Sequence, residues 1–471
     1  MSERIEADLC VIGAGSAGLS AAAGAAILGL KVVLFERGRM GGDCLNYGCV
    51  PSKALLAAAK TASRIARAGE FGIRLGPAEI DYAAAMDRVR AVIAAIAPTD
   101  SVARFTALGV RVIEAEASFV GPRRVAGGGV EVDAKWLVVA TGSRPSAPPI
   151  PGLAETPYLT NETLFDNRAR PSHLIVIGGG PIGLEMAQAH IRLSSQVTVL
   201  EAARVLGKDD PELANAVTLA LRAEGVAIRE GAPIASVARG ADGVSVTLDD
   251  GTRIAGSHLL VAAGRKPRIE GLGLERAGIA HGPAGIVVDR RLRTSNPRVY
   301  ALGDVAGGPQ FTHVAGWHAG LFLRNALFRL PASVVGAAIP AVTYTDPELA
   351  QVGMTEAAAR AQGHAVRILR FGFADNDRAQ AEGETRGLVK AVVDPRGRIL
   401  GAGIAGPAAG ELIQPWVLAM SKGLKIGALA EAIAAYPTLV EVNKRAATSF
   451  YAPLFLAKRT KTLVRWLLKL A

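Results

Sequence analysis

Asp8-Leu9-Cys10-Val11-Ile12-Gly13-Ala14-Gly15-Ser16-Ala17-Gly18 begins as an apolar, β-forming run and passes into Gly13-x-Gly15-x-x-Gly18, followed by an alanine-rich segment. A buried strand, a tight turn and a helix satisfy that order. Gly13 makes the turn, Gly15 lets the backbone approach a pyrophosphate, and Gly18 lets the helix pack on the strand. The next β-like run, Lys31-Val32-Val33-Leu34-Phe35, ends in Glu36, a carboxylate suited to accept from a ribose hydroxyl. One such fingerprint is weak evidence. The chain repeats it, because His173-Leu174-Ile175-Val176-Ile177 enters Gly178-x-Gly180-x-x-Gly183 and Val197-Thr198-Val199-Leu200 ends in Glu201. The duplication predicts an α/β protein with two Rossmann-like dinucleotide-binding folds, one per cofactor. A carboxylate at Glu201 accepts from a ribose 2′-OH and repels a 2′-phosphate, which favours NAD(H) over NADP(H), although Arg204 lies close in sequence.

Between the two fingerprints stands Gly41-Gly42-Asp43-Cys44-Leu45-Asn46-Tyr47-Gly48-Cys49-Val50-Pro51-Ser52-Lys53. In a regular helix residues five apart are separated by about 7.5 Å along the axis, at or beyond the roughly 7 Å limit for a disulfide. Cys44 and Cys49 can therefore join only across irregular backbone, which Asn46 and Gly48 permit. Pro51 suits the first turn of a following helix, which places Cys49 at a positive helix end where its thiolate is favoured. A structural disulfide is the ordinary alternative, and it is rare in a reducing compartment. Zinc is a weaker one, since no second cysteine pair completes a four-ligand site.

The stretch GGDCLNYGCVPSK resembles the redox-active disulfide of the class I pyridine nucleotide-disulfide oxidoreductases, the group containing dihydrolipoamide dehydrogenase, glutathione reductase and mercuric reductase. The resemblance implies that Cys49 is the thiol against the flavin, that Cys44 meets substrate, and that Lys53 lies near the flavin N5 and pairs with Glu185. It assigns the first fingerprint to FAD, with nucleotide contacts at Ala117 and at Thr141, Gly142 and Ser143 of the ATGSRP turn. It places Gly264 near the nicotinamide cofactor. Thr294 to Asp304 resembles the second FAD motif, where Gly303 and Asp304 meet the ribityl chain. Tyr344-Thr345-Asp346-Pro347-Glu348-Leu349-Ala350 looks like the opening of an α+β dimerisation domain, so the resemblance implies a homodimer whose active site the partner subunit completes. The segments read as 1–150 and 271–338 for FAD, 151–270 for NAD(P), 339–454 for dimerisation and 455–471 as a tail.

Composition agrees with that class. At 471 residues and 50% hydrophobic, with 54 glycines and 5% aromatics, the chain exceeds one ordinary core and suits small-residue helix packing. Three cysteines argue for a reducing compartment, and Cys10, inside an apolar run, reads as a buried core thiol. The net charge of +11 raises nucleic acid, yet seven Lys or Arg and no acid follow Glu441, so the excess is largely a tail. No nucleic-acid partner is expected. Residues 9 to 30 carry no charge, but their glycines favour strand, turn and helix over a membrane span. With no signal-peptide n-region, a cytoplasmic location is expected.

The chain also departs from its relatives. Tyr436-Pro437-Thr438-Leu439-Val440-Glu441 aligns with a segment in which disulfide reductases carry a catalytic His oriented by the Glu. A phenol near 10 is a poor base at pH 7, where an imidazole near 6.5 shuttles protons. Mercuric reductases also have Tyr in this region but bring a C-terminal cysteine pair, and no cysteine follows Cys49 here. Pro181 stands where dihydrolipoamide dehydrogenases usually have Tyr. The chain most resembles mercuric-reductase-like, dihydrolipoamide-dehydrogenase-like flavoproteins with a YPTLVE segment. The expected activity is an NAD(H)-linked FAD oxidoreductase that passes electrons through Cys44 and Cys49 to a metal ion such as Hg(II) or Cu(II), an electrophile or a disulfide. Dihydrolipoamide dehydrogenase, a peripheral membrane NADH:quinone reductase and a non-catalytic flavin-binding subunit are the competing readings. His313 and His318, flanking Trp317, raise metal ligation, although hydrogen bonding is the commoner use of His. Residues 458–471 form a basic amphipathic helix expected to pack on its own subunit, with membrane contact as the alternative.

Overall fold

The computed structural model describes residues 3–76, 78–240 and 243–470. The chain divides into two compact units: Met1–Gly178, Arg192–Val197 and Ile234–Val335 form the first, and Gly179–Ile191, Thr198–Pro233 and Gly336–Ala471 the second.

The first unit is built on strands β1 (Glu3–Ile12), β2 (Val32–Glu36), β3 (Val110–Glu114), β4 (Ser118–Gly121), β5 (Arg124–Gly127) and β6 (Val130–Val139), in the order β3-β2-β1-β6-β5-β4. Strands β3, β2, β1 and β6 run parallel, and Val299–Ala301 joins β6 in parallel, returning a distant stretch of chain to this sheet. Alternate side chains enter two cores. Leu9, Val11, Leu34 and Val138 face one that includes Ala21 and Ala22 of helix α1 (Ser16–Ile27), while Cys10, Ile12, Val33, Phe35 and Leu137 face the other. Burial on both faces is why these strands read as continuous apolar runs. Cys10 is wholly buried, which pushes its thiol well above the ordinary range and fits a packing role.

Helix α2 (Gly42–Asn46) stops at Tyr47, and α3 (Cys49–Ala66) begins two residues later with Gly48 as its N-cap. The backbone between the two thiols is thus broken as the spacing requires. The helical region from Tyr82 to Leu108 is interrupted where Pro98 lies, giving Tyr82–Ile96, a 3-10 turn and Val102–Ala107. Strand β3 ends at Glu114, where Ala115 N donates back to Ile113 O in a turn at 3.0 Å. Later in this unit His258–Val261 pairs in parallel with His173–Ile177, and Ile234–Gly240, Gly243–Leu248 and Arg253–Gly256 form an antiparallel sheet.

The second unit centres on a five-stranded antiparallel sheet: Pro340–Thr343, Glu348–Gly353, Ile399–Gly406, Leu388–Val393 and Arg367–Gly372, in that spatial order. Trp416 is fully buried against it, and its indole N–H donates 2.8 Å to Asn443, whose amide donates to Leu412 O. Two short helices follow the sheet, Ala409–Leu412 and Gln414–Ser421, with Pro415 in the first turn of the second. Lys390 is a buried cation on this sheet, 2.9 Å from Asp210, 3.0 Å from Glu212 and 3.1 Å from Glu356. Burial works against its ammonium, but the three carboxylates outweigh that and hold its pKa above the ordinary value. Asp210 also caps helix Pro211–Ala223, so one ion cluster pins that helix end to the sheet.

At the C-terminus the expected amphipathic helix is present as Lys458–Leu467, but none of its residues is buried. It does not pack on the core of its own chain. Among the described residues no helix is long and apolar enough to cross a membrane.

Candidate active site

Local sequence fixes the redox stretch. Gly41 and Gly42 both take positive φ (86° and 58°), turning the chain out of the β2 region into α2. The Asn46 amide donates to Met40 O (3.0 Å) and Gly42 O (2.9 Å), so Asn46 clamps the loop from within a helical turn rather than supplying irregular backbone. A Cβ on Gly48 would sit 2.9 Å from Asp43 Oδ2 and 3.1 Å from Asp43 O, so a side chain at this break would have to displace Asp43.

Cys44 and Cys49 are free thiols in hydrogen-bonding contact, Cys44 partly buried and Cys49 exposed. The Cys44 thiol donates to Cys49, and this is the largest cause lowering Cys49 to a pKa of about 6. The Thr312 hydroxyl, 3.3 Å from Cys49 Sγ, and the charge of Lys53 add to it against the opposing effect of burial. Cys44 is pushed strongly up by the same bond and by burial. The pair is therefore asymmetric at neutral pH, with a thiolate at the start of α3 and a thiol behind it. Lys53 Nζ lies 3.3 Å from Ser52 Oγ on the same helix.

Around this pair the first unit gathers four separate stretches of sequence. The Ser143 hydroxyl donates 2.5 Å to Asp304 and accepts from Arg265 Nε at 2.8 Å. Arg265 also lies 3.2 Å from Asp43, whose other oxygen accepts from Asn161 at 3.0 Å. Burial raises the Asp304 carboxyl above its ordinary value against the pull of Ser143 and Arg265. Thr141 Oγ1 donates to Arg268 O (2.6 Å), Gly142 and Gly264 take positive φ, and Ala117 is buried. Thr312, Arg265 and Asn161 escaped the sequence reading. Arg265 directly follows Gly264, whereas Thr312 and Asn161 carry no local signal.

Gly303, also at positive φ, donates its N–H to His318 Nδ1 at 3.1 Å, and His318 is buried, which lowers its pKa to about 4. One ring nitrogen is thus committed to the backbone. His313 instead stacks on Phe311, with centroids 5.2 Å apart and planes 9° from parallel. The metal-ligand reading of these two residues gains no support, since no group of three or more His, Cys, Asp or Glu among the described residues is arranged to hold a metal ion.

The fingerprints have matching geometry. Gly13 (φ 103°) and Gly178 (φ 111°) turn so tightly that a Cβ would lie 2.5 Å from Ala140 O and 2.6 Å from Ala262 O. At Gly15 and Gly180 a Cβ would meet nothing within 4 Å, while at Gly18 it would collide with Gly13 O. Gly183 is buried in helix Pro181–Arg192. Glu36 accepts from Ala14 N (2.6 Å) and Gly38 N (2.7 Å), and Glu201 repeats the pattern with Gly179 N (2.8 Å) and Ala203 N (2.9 Å). Each carboxylate thus braces its own turn, which the expected ribose role did not include. Helix α1 has no side-chain N-cap and no acid in its first turn, so its N–H groups face the open space at Gly15. That cradle fits the pyrophosphate of a dinucleotide.

Glu185 is buried in the second unit, where it accepts from Tyr344 N at 3.0 Å, so it is no exposed helix Glu. Tyr436 is 70% exposed, and its hydroxyl donates 2.9 Å to Asp377. That bond, with the charges of Asp377 and Glu441, pushes the phenol further above its ordinary value. Glu441 opens helix Glu441–Thr448.

Comparison with known proteins agrees with this geometry. The pyridine nucleotide-disulphide oxidoreductase family matches residues 7–319, and its dimerisation domain matches residues 339–447. The chain is 38% identical to a mercuric reductase of Streptomyces lividans over 94% of this chain and 96% of the relative. It is 37% identical to a dihydrolipoyl dehydrogenase of Thermus scotoductus, over 94% and 97%. Among solved structures it is similar to the HOCl-induced flavoprotein disulfide reductase RclA from Escherichia coli, with a TM-score of 0.85, 30% identity and coverage of 94% and 99%. The dimerisation domain supports assembly as a homodimer. The chain belongs to the class I pyridine nucleotide-disulfide oxidoreductases, enzymes that use FAD and a pyridine nucleotide.

Proposed function

We propose that this protein is an NADH-dependent flavoprotein reductase whose Cys44 and Cys49 form the redox-active pair and whose acceptor is a soft metal ion such as Hg(II) or Cu(II). The observation that carries the reading is the asymmetric thiol pair, in which a Cys49 thiolate with a pKa of about 6 is hydrogen-bonded to a Cys44 thiol. Thiolates are the preferred ligands of soft metals, and binding to one already deprotonated needs no general base. FAD, when bound, supplies hydride acceptance from the nicotinamide and delivery of an electron pair to sulfur.

The residues divide that work. Gly13, Gly15, Gly18, Ala117, Thr141, Gly142, Ser143, Gly303 and Asp304 seat the flavin nucleotide, with Glu36 holding the turn at Ala14. Gly178, Gly180, Gly183 and Gly264 seat the nicotinamide nucleotide, and the carboxylate at Glu201 favours NAD(H). Lys53 and Glu185 serve the flavin. Two electrons and one proton open the Cys44–Cys49 disulfide, leaving a thiol at Cys44 and a thiolate at Cys49. Re-forming the disulfide passes two electrons to one Hg(II) or to two Cu(II) and releases that proton. The segment plan read from the sequence, with the FAD region interrupted by the NAD region, goes with this assignment.

Tyr436 argues against lipoamide as the substrate, because a phenol raised by Asp377 is a poorer base than an ordinary one. Cu(II) has been placed in a relative, since a Cu(II) complex of RclA is among the similar structures, at 30% identity and a TM-score of 0.85. The test is a comparison of NADH oxidation with Hg(II), Cu(II), lipoamide and a quinone as acceptors. Metal-dependent turnover lost in Cys44→Ser is the expected result, and turnover with lipoamide alone would overturn the reading.

A further inference from the structure

The helix Lys458–Leu467 has five cations in and just beyond it, Lys458, Arg459, Lys461, Arg465 and Lys469, and residues 452–470 contain no acid. At 100° per residue, Lys458, Lys461, Arg465 and Lys469 share one side. Leu463, Leu467 and Leu470 lie on the other, with Val464 and Trp466 flanking them. This apolar face is uncovered: Leu463 is 53% exposed, Trp466 56% and Leu470 66%. The preceding short helix Ala452–Leu456 adds Phe455 and Leu456 at 65% and 68%.

A ten-residue helix with no buried residue is marginal in water, so its stability calls for a covering surface. Lys458 and Arg459 in the first turn also oppose the helix dipole, a cost that an anionic surface offsets. Without the seven cations that follow Glu441 a second copy still carries a net +4 (11 − 7), so its surface complements the basic side less well than an anionic one does. Anionic phospholipid complements both faces at once, since Lys and Arg meet headgroups while Leu and Trp enter the acyl boundary.

We propose that residues 452–470 form an in-plane anchor that docks the enzyme on an anionic bilayer surface. The surface lies apart from the redox pair in sequence and goes beyond the proposed electron acceptor.

Full-length, FAD-loaded protein is sedimented with vesicles of phosphatidylcholine alone or mixed with phosphatidylglycerol, at low and high salt. Binding is expected only to the mixed vesicles, and salt should weaken it. Each basic residue at such a surface is worth about fivefold in partitioning, so Lys461→Ala with Arg465→Ala should lower it roughly 25-fold. Leu463→Gln with Leu467→Gln should abolish it. Unchanged NADH oxidation with an artificial acceptor verifies that these variants fold. Equal behaviour of both vesicle types, or no binding to either, would overturn the proposal. So would variants that shift the monomer–dimer balance in light scattering while leaving vesicle binding unchanged, because the covering surface would then be a second copy.

Discussion

Thr312 Oγ1 lies 3.3 Å from Cys49 Sγ, joining the start of helix Thr312–Phe322 to the start of α3 across 263 residues of sequence. Together with the Cys44 thiol it surrounds one sulfur with hydrogen-bond donors, which favours the charged form. Thiolate absorbance of the reduced enzyme should therefore titrate near pH 6, present above that value and lost below it. A hydrogen bond to a charged group is worth about 1.5–3 kcal/mol, so Thr312→Val should move the midpoint up by roughly one pH unit. An unmoved midpoint would remove Thr312 from the site.

Tyr436 tests the substrate assignment. Native enzyme should oxidise dihydrolipoamide poorly with NAD, and Tyr436→Phe should change little. Tyr436→His, with Glu441 in sequence position to orient the ring, should raise that rate at least about tenfold, at or below the lower end of what general acid-base catalysis supplies. Steady-state kinetics at pH 7 to 8 measures this. Robust native turnover of dihydrolipoamide would refute the argument from the missing imidazole.

His318 makes the fold sensitive to acid. Its pKa falls from 6.5 to about 4 on burial, so between those values the unfolded chain binds a proton that the native state does not. Stability is full above pH 6.5 and declines as pH drops toward 4, by up to about 1.4 kcal/mol per unit. His318→Asn keeps an acceptor for Gly303 N and should flatten that part of the thermal-melting profile. A slope identical to that of native protein would assign the acid sensitivity elsewhere.

Lys390 holds three carboxylates together with only 7% of its side chain exposed. Lys390→Met leaves Asp210 buried without its cation, and breaking a buried pair from one side costs on the order of 3–5 kcal/mol. Calorimetry should show a lower melting temperature in the variant. A change within error of native would mean that solvent screens the cluster.

The parts legible in the sequence were those governed by local backbone rules. The duplicated fingerprint announced both turns, since Gly13 and Gly178 need positive φ and Gly18 needs close approach, and these demands are written in consecutive residues. The break between Cys44 and Cys49 followed from helix rise alone. The network of Asp43, Ser143, Arg265 and Asp304 was not legible as a network, because its members come from four stretches that meet only when Val299–Ala301 joins β6 and Arg265–Pro267 pairs with Ser143–Pro145. The brace between Glu36 and Ala14 N was missed for a different reason. A carboxylate has more acceptor positions than one ligand uses, and the sequence does not say which donors fill the rest. The tail showed its two faces in sequence, yet its exposure depended on what lay beside it in space.

Anaerobic titration with NADH shows whether Cys49 is the thiolate of a redox-active dithiol. Native enzyme should gain long-wavelength charge-transfer absorbance as two electrons enter, with Cys44 becoming accessible to a thiol reagent. Cys49→Ser should accept the same NADH without that absorbance. If the reduced spectrum of Cys49→Ser matches that of native enzyme, electrons stop at the flavin and Cys49 is not a redox thiol.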